Sequence, residues 1–225
     1  MDERRYRLLL RIAIALTLIW ILWTLYDSGP RRSPPDAQQL SAAGRQLEDG
    51  NYREALRLFE TVFRQNENHL GALRGMAQAS MQLGLESERA AQDGTREAQR
   101  AQSAGQHFVQ ALRWYDKAIA AAQALAADDA ERRALGVSHA NRGILRDHMG
   151  DHRGALEDYL VSLQLAPEVA EGPGWLTRFL RNQPERPPDV AQRAAYIREQ
   201  LAKPESERKL RRPEADARQR AYTMD

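Results

Sequence analysis

The distribution of apolar residues divides the chain into one continuous apolar segment and a series of amphipathic segments. Residues 8–26 are apolar except for Arg11, Thr17 and Thr24, and no charged residue occurs in 12–25. A helix rises ~1.5 Å per residue, so this segment is about 28 Å long, close to the ~30 Å hydrocarbon core of a bilayer. The pattern predicts a transmembrane helix over residues 8–26.

The residues at the two ends of this segment are typical of a membrane-spanning helix. Arg11 lies one turn inside it and can extend its guanidinium to the lipid head groups. Trp20, Trp23 and Tyr26 gather at the other end, as an interfacial aromatic belt does. A cleaved signal peptide is disfavoured because no small-x-small site follows the apolar run. A buried core helix is disfavoured because every face of the segment is apolar. An uncleaved signal anchor is therefore expected.

Basic residues set the predicted orientation. Four Arg precede or begin the span, whereas only Arg31 and Arg32 follow it closely, so the positive-inside bias places residues 1–7 in the cytoplasm. Residues 27–35 contain three Pro and one Gly, which predicts an extended linker. In a Gram-negative host this arrangement is a single-pass inner-membrane protein whose remaining residues form a periplasmic domain.

From residue 36 onward, apolar residues recur at helical spacing, and polar breaks separate them into pairs of helices. Ala43 and Gly143 are each followed by an alanine twelve residues later, and Ala77 lies 34 residues after Ala43. Small side chains let two helix backbones approach closely, so these positions are expected at helix contacts. The small residues expected there are Ala43, Ala77, Ala111, Gly143 and Ala155.

The most complete pair covers residues 140–167. Its turn contains Gly150, Tyr159 follows the small residues, and Pro167 ends the second helix. This spacing and the 34-residue interval resemble the tetratricopeptide repeat (TPR). The resemblance covers residues 36–167. It implies a short TPR α-solenoid of antiparallel helix pairs. With the N-terminal transmembrane helix before it and a C-terminal capping helix and extended tail after it, the predicted fold is all-α.

Three segments differ from the repeat pattern. Residues 86–106 contain no large apolar residue, which predicts a polar insertion, with a degenerate repeat helix as the alternative. Residues 168–203 predict capping helices, the first of them with one apolar stripe of Trp175, Leu176, Phe179 and Leu180. Residues 204–225 are charged and poor in apolar side chains, so they predict a tail without stable structure of its own.

The resemblance also implies a binding groove, because the first helices of TPR arrays line a concave surface that takes a peptide or a partner helix. The groove residues it implies are Arg74, Gln78, Met81, Asn141, Ile144, Asp147 and His148. Their mixed character favours apolar and amide contacts with the partner. Asn141 matches the Asn of carboxylate-clamp members. Those members also need Lys and Arg where this chain has Glu171 and Trp175, which favours a backbone contact for Asn141.

Composition and motifs argue against catalysis, cofactors and nucleic acid. The chain has no Cys, which excludes Cys-based zinc sites and thiol nucleophiles. Its 33 basic and 31 acidic residues alternate, as on solvated helical faces, so no nucleic-acid surface is expected. His148 and His152 are four residues apart, but a turn separates them, so they do not share one helix face as metal ligands. We expect neither an enzyme nor a metal or cofactor site.

Together these observations predict a membrane-anchored scaffold or adaptor. It would bind a peptide or helix of another protein and help assemble or stabilise a membrane or periplasmic complex. The membrane anchor raises the local concentration of the groove near a partner in the same membrane, so weak groove contacts would suffice for binding. The expected partners are that protein and the lipid around residues 8–26. The alternative is a permanent, non-catalytic subunit of a membrane complex, bound through its transmembrane helix and C-terminal tail.

Overall fold

The computed structural model describes residues 3–27, 35–92, 97–125, 128–167 and 189–211. Within these ranges all regular structure is helical, which confirms the predicted all-α class. The α-helices are α1 (Glu3–Asp27), α2 (Pro35–Glu48), α3 (Tyr52–Gln65), α4 (Leu70–Gln92), α5 (Glu97–Leu125), α6 (Asp129–His148), α7 (His152–Leu165) and α8 (Val190–Ala202). The predicted first capping helix and residues 212–225 lie outside the described residues. The chain divides into two units, residues 1–38 and 39–225.

The first unit contains α1, a helix of 25 residues. Large apolar side chains from Ile12 to Trp23 are between 41% and 67% exposed. The Thr17 hydroxyl donates a hydrogen bond to the Ala13 carbonyl at 2.9 Å. Among the residues whose side chains are described, no helix has the length and apolarity that a membrane crossing requires. The predicted span, residues 8–26, extends beyond the part of α1 with described side chains, which is 11–23.

Two glycine turns fold helices of the second unit into antiparallel pairs. Gly50 follows α2 with φ +82°, and Gly150 follows α6 with φ +89°. In both turns the residue after the glycine donates its N–H to the carbonyl five positions earlier, at 2.8 Å. Glycine adopts this left-handed conformation without a Cβ penalty, so both helices end in the same Schellman motif. As a result, α3 returns along α2, and α7 returns along α6.

Small and aromatic side chains fill the contacts between helices. The five small residues expected at helix contacts are all buried: Ala43, Ala77, Ala111, Gly143 and Ala155. A Cβ on Gly143 would lie 2.7 Å from the ring of Tyr159, so only glycine allows this approach of α6 to α7. Phe59 in α3 and Tyr115 in α5 are buried in the same way as Tyr159 in α7. The helix contacts therefore follow the small-residue pattern of the sequence.

The fourth and fifth helices are longer than α2 and α3, which have 14 residues each. Helix α4 has 23 residues and α5 has 29, so the described parts of the predicted insertion, 86–92 and 97–106, belong to these two helices. Ala91 is 8% exposed and Ala104 is 1% exposed. These parts of the polar stretch are therefore helical, and alanine side chains provide buried positions within them.

Helix α8 packs against α7 and lies within residues 168–203, where the sequence predicts capping helices. Its inward face buries Val190, Ala194 and Ile197. The segment that follows turns back along the helix, and the Tyr196 hydroxyl donates to the Lys209 carbonyl at 2.6 Å. The first residues of the predicted tail, up to 211, are thus held by contacts with α8.

Candidate functional site

A cavity of about 240 Å³ lies between the first helices of three successive pairs, α2, α4 and α6. Helix α2 contributes Gly44, Leu47 and Glu48 to its lining. Side chains from the second helices, Phe59 of α3 and Tyr115 of α5, also line it. Typical small-molecule pockets measure ~300–1,000 Å³. This cavity is smaller, so its size suits one large side chain of a bound chain better than a complete cofactor.

Two glycines shape the cavity in opposite ways. A Cβ on Gly44 would meet no atom within 4 Å, so α2 is open to the cavity at this residue. A Cβ on Gly75 would collide with the ring of Phe59, so α4 lies against α3 at this point. Because glycine has no side chain, Gly44 leaves open space at the α2 wall, whereas Gly75 lets α4 lie close to α3.

The polar lining residues are Glu48, Arg74, Gln78, Tyr115, Ser138 and Asn141. Burial lowers the pKa of the Arg74 guanidinium, because a surrounding of low dielectric constant disfavours its charged form. The Ser138 hydroxyl is engaged within α6, where it donates to the Ala134 carbonyl at 2.9 Å. Arg74 and Asn141 likewise interact with other groups of the protein. Polar side chains and apolar walls thus lie side by side in the lining. Such a combination suits the binding of an amphipathic group.

Tyr115 also lines the cavity and is 1% exposed, as is Ser138. Its hydroxyl oxygen is buried and has no hydrogen-bond partner in the part of the chain that the structure describes. Burial raises the pKa of Tyr115, so the hydroxyl stays protonated at neutral pH and can act as a donor. The Tyr115 side chain thus forms part of the cavity wall, while its hydroxyl oxygen has almost no accessible surface.

The predicted groove residues divide between the cavity and the core. Arg74 and Gln78 of α4 and Asn141 of α6 line the cavity together. Met81 and Ile144 are 3% and 4% exposed and belong to the hydrophobic core. These two are therefore packing residues in this structure.

The other two predicted groove residues bond to side chains of the protein itself. The Asp147 carboxylate accepts two hydrogen bonds from Arg193 of α8, at 2.6 and 2.8 Å. It also lies 2.9 Å from Nδ1 of His152. Nε2 of His148 lies 2.8 Å from a Glu88 carboxylate oxygen. Asp147 and His148 thus connect α6 to α8, α7 and α4.

A second buried carboxylate, Asp158 of α7, was not predicted from the sequence. Three side chains of α6 surround it: Nδ1 of His139 at 2.8 Å, Arg142 at 2.6 and 2.9 Å, and Arg146 at 3.0 Å. Burial by itself raises the pKa of Asp158, but these hydrogen bonds and the two guanidinium charges bring it below its ordinary value. The available signal was the i, i+3, i+7 spacing of the three α6 residues, which places them on one helix face.

His148 and His152, which are four residues apart in the sequence, contact different carboxylates. His148 binds Glu88 and His152 binds Asp147, so they do not converge on one point. Among the residues that the structure describes, no group of three or more His, Asp or Glu side chains is arranged to hold a metal ion.

The comparisons with known proteins identify no relative. No protein family, no curated protein and no solved structure matches the chain.

Proposed function

We propose that the protein is a membrane-anchored scaffold of the TPR type. It binds a peptide or helix of a partner protein in the groove between α2, α4 and α6, and it helps assemble or stabilise a membrane or periplasmic complex. The observation that carries the proposal is the shared cavity. Three residues predicted as groove residues, Arg74, Gln78 and Asn141, come from two different helix pairs and line it together.

The repetition of equivalent contacts supports the TPR assignment. The three helix pairs share a set of equivalent buried positions, one with a small residue on the first helix and three on the second helix. These positions are Ala43, Ala55, Phe59 and Val62; Ala77, Ala111, Tyr115 and Ala118; and Gly143, Ala155, Tyr159 and Ser162. Pairs that repeat the same contacts stack with their first helices on one side, as repeat arrays do.

The surface of α1 supports the membrane anchor. Its exposed apolar side chains include Trp20 and Trp23, each 67% exposed, in a helix long enough to contain the predicted span. A large exposed apolar surface is unfavourable in water and favourable in a bilayer. The Thr17 hydroxyl bonds to its own helix, as a polar group in lipid must. In this proposal Arg11 and Tyr26 mark the two ends of the span, the N-terminus is cytoplasmic, and the groove lies across the membrane.

Site-specific crosslinking in native membranes tests the proposal. A photo-crosslinking amino acid replaces Gln78, which lines the cavity, and in a control protein it replaces Glu157, which is exposed on α7. We expect one defined protein to be captured from position 78 and not from position 157. Gly44→Trp should abolish that capture, because α2 is open to the cavity at this glycine.

The outcomes separate the scaffold from other roles. Equal capture from positions 78 and 157, or capture that Gly44→Trp leaves unchanged, would show that the groove is not the binding surface. A permanent subunit, in contrast, would purify in mild detergent with its complex at fixed stoichiometry, and Gly44→Trp would not release it.

A further inference from the structure

Glu48 was not predicted as a groove residue, yet it lines the cavity from the end of α2. The residue is exposed, so it lies where the cavity opens to solvent. In the part of the chain that the structure describes, its carboxylate has neither a hydrogen-bond donor nor an ion-pair partner. Arg45, one turn earlier on α2, donates a hydrogen bond to the Ser41 hydroxyl at 2.9 Å instead. Glu48 therefore presents an unpaired negative charge at the mouth of the cavity.

The position of Glu48 on its helix makes this charge attractive to a cation. Glu48 is the last residue of α2, and the backbone carbonyls at the end of a helix carry partial negative charge. Asp49, which follows it, is exposed as well. An acidic side chain is unfavourable at this end of a helix, whereas a cation is favourable there. A positive charge on a bound partner thus meets both the carboxylate and the helix end.

The other charged residue of the lining does not offer a comparable contact. Arg74 is half-buried and already interacts with another group of the protein. Glu48 is therefore the charged lining residue that remains available to a ligand. Leu47, Phe59 and Val137 supply apolar wall surface in the same cavity. This setting suits a long apolar stem that ends in a positive charge, as lysine and arginine side chains do.

We propose that the cavity takes a lysine or arginine side chain of the partner protein, whose methylene groups pack on the apolar walls and whose cation pairs with the Glu48 carboxylate. This inference rests on the groove function proposed above and adds a charge specificity to it. The volume of about 240 Å³ admits one such side chain. A glutamate at the same position of the partner places its charge against Glu48, so the cavity discriminates against it.

The test uses the full-length chain in lipid nanodiscs and a library of 12-residue peptides. The peptides are acetylated and amidated, their flanking positions are randomised, and the central residue is Lys, Arg, Leu or Glu. We expect the native chain to enrich Lys and Arg peptides about threefold over Leu peptides, a factor typical of one exposed ion pair, and to deplete Glu peptides. Glu48→Gln should remove this order, and Glu48→Lys should reverse it in favour of Glu peptides.

Two controls separate the charge of Glu48 from other effects. Glu48→Gln should leave the melting temperature equal or higher, because it removes an acid from the end of a helix. Asp49→Asn removes the neighbouring exposed charge, which is not part of the cavity lining, and should keep the preference for Lys and Arg. An equal loss of preference in the Glu48→Gln and Asp49→Asn variants would show that the helix end as a whole attracts the peptides and would overturn the pairing with Glu48.

The remaining outcomes bear on separate claims. Equal enrichment of all four peptide classes by the native chain would overturn the charge specificity and leave the groove function intact. Enrichment of Glu peptides would overturn it too and would assign the contact to Arg74. If no peptide is enriched, the proposed function fails and this inference fails with it.

Discussion

At the scale of single residues, glycines and alanines decide where helices meet and where they stay apart. Gly75 and Gly44 both line the cavity and both lie within helices, yet their surroundings differ. A side chain at Gly75 would collide with Phe59, whereas a side chain at Gly44 would enter open space. The same residue type therefore has a packing role at one position and leaves a surface open at the other.

This difference gives a matched pair of predictions. Gly75→Ala should destabilise the protein by about 1–3 kcal/mol, because the added methyl group overpacks the contact with Phe59. Gly44→Ala should stabilise it by roughly 0.5–1 kcal/mol, because alanine lowers the entropy cost of the helix without a clash. Urea unfolding of the full-length chain in mild detergent measures both. Shifts of the same sign in the two variants would contradict the packing described for α3 and α4.

At the scale of helices, buried ion pairs join elements that the small-residue pattern does not connect. Asp147 of α6, whose side chain is 3% exposed, binds the Arg193 guanidinium of α8 through two hydrogen bonds. Arg193 also donates to the Leu210 carbonyl at 2.9 Å. One guanidinium therefore connects α6, α8 and the segment after α8. A buried pair of this kind fixes position more than it adds net stability, since both charges lose their hydration.

Removing one partner should therefore be strongly destabilising. Arg193→Met leaves the buried Asp147 carboxylate without its guanidinium, and we expect a loss of about 3–5 kcal/mol in urea unfolding. Arg57→Met is the control, because Arg57 forms a 2.6 Å ion pair with Glu54 on the surface of α3. That variant should unfold at the same urea concentration as the native chain, since exposed pairs contribute little. Equal effects in the two variants would show that burial does not determine the strength of these contacts.

At the scale of the whole molecule, the stability of the second unit should depend on pH through its buried carboxylates. Asp158 has a pKa below its ordinary value of 3.8 in the folded state, where His139, Arg142 and Arg146 surround it. A carboxyl group whose pKa is lowered on folding stabilises the fold above the unfolded pKa. That stabilisation is lost as the pH falls through the folded value. The loss should therefore begin below about pH 4.

We predict that the urea midpoint of the native chain decreases more steeply between pH 5 and pH 3 than that of Asp158→Asn. The variant should be less stable at pH 7 by about 3 kcal/mol or more, because the guanidinium groups keep their charges without the buried carboxylate. Only the slopes of the urea midpoint against pH are compared. This separates the titration of Asp158 from the loss of stability that the substitution causes at every pH. Parallel slopes would show that this carboxyl does not contribute to acid unfolding.

Much of the fold could be predicted from local patterns. The spacing of small residues located helix contacts, and Gly150 located the turn between α6 and α7, because both effects depend on the size of a side chain at one position. The cavity was predicted only in part. Arg74, Gln78 and Asn141 line it, but Met81 and Ile144 pack in the core. Residues on one face of a helix lie close together, so their spacing does not separate groove positions from core positions. The packing of the neighbouring helices determines which of these side chains are covered.

The sequence by itself determined the helical class, the glycine turns and the small residues at which helices touch, because these depend on backbone conformation and side-chain volume. Only the tertiary structure decided which polar side chains meet. Asp147 lies 46 positions from Arg193, and Asp158 lies 42 positions from Asp116, to which Arg142 links it. It also brought Arg74, Gln78 and Asn141, from two helix pairs, to the lining of one cavity. Such contacts depend on how the helices stack, and no local pattern in the chain specifies that geometry.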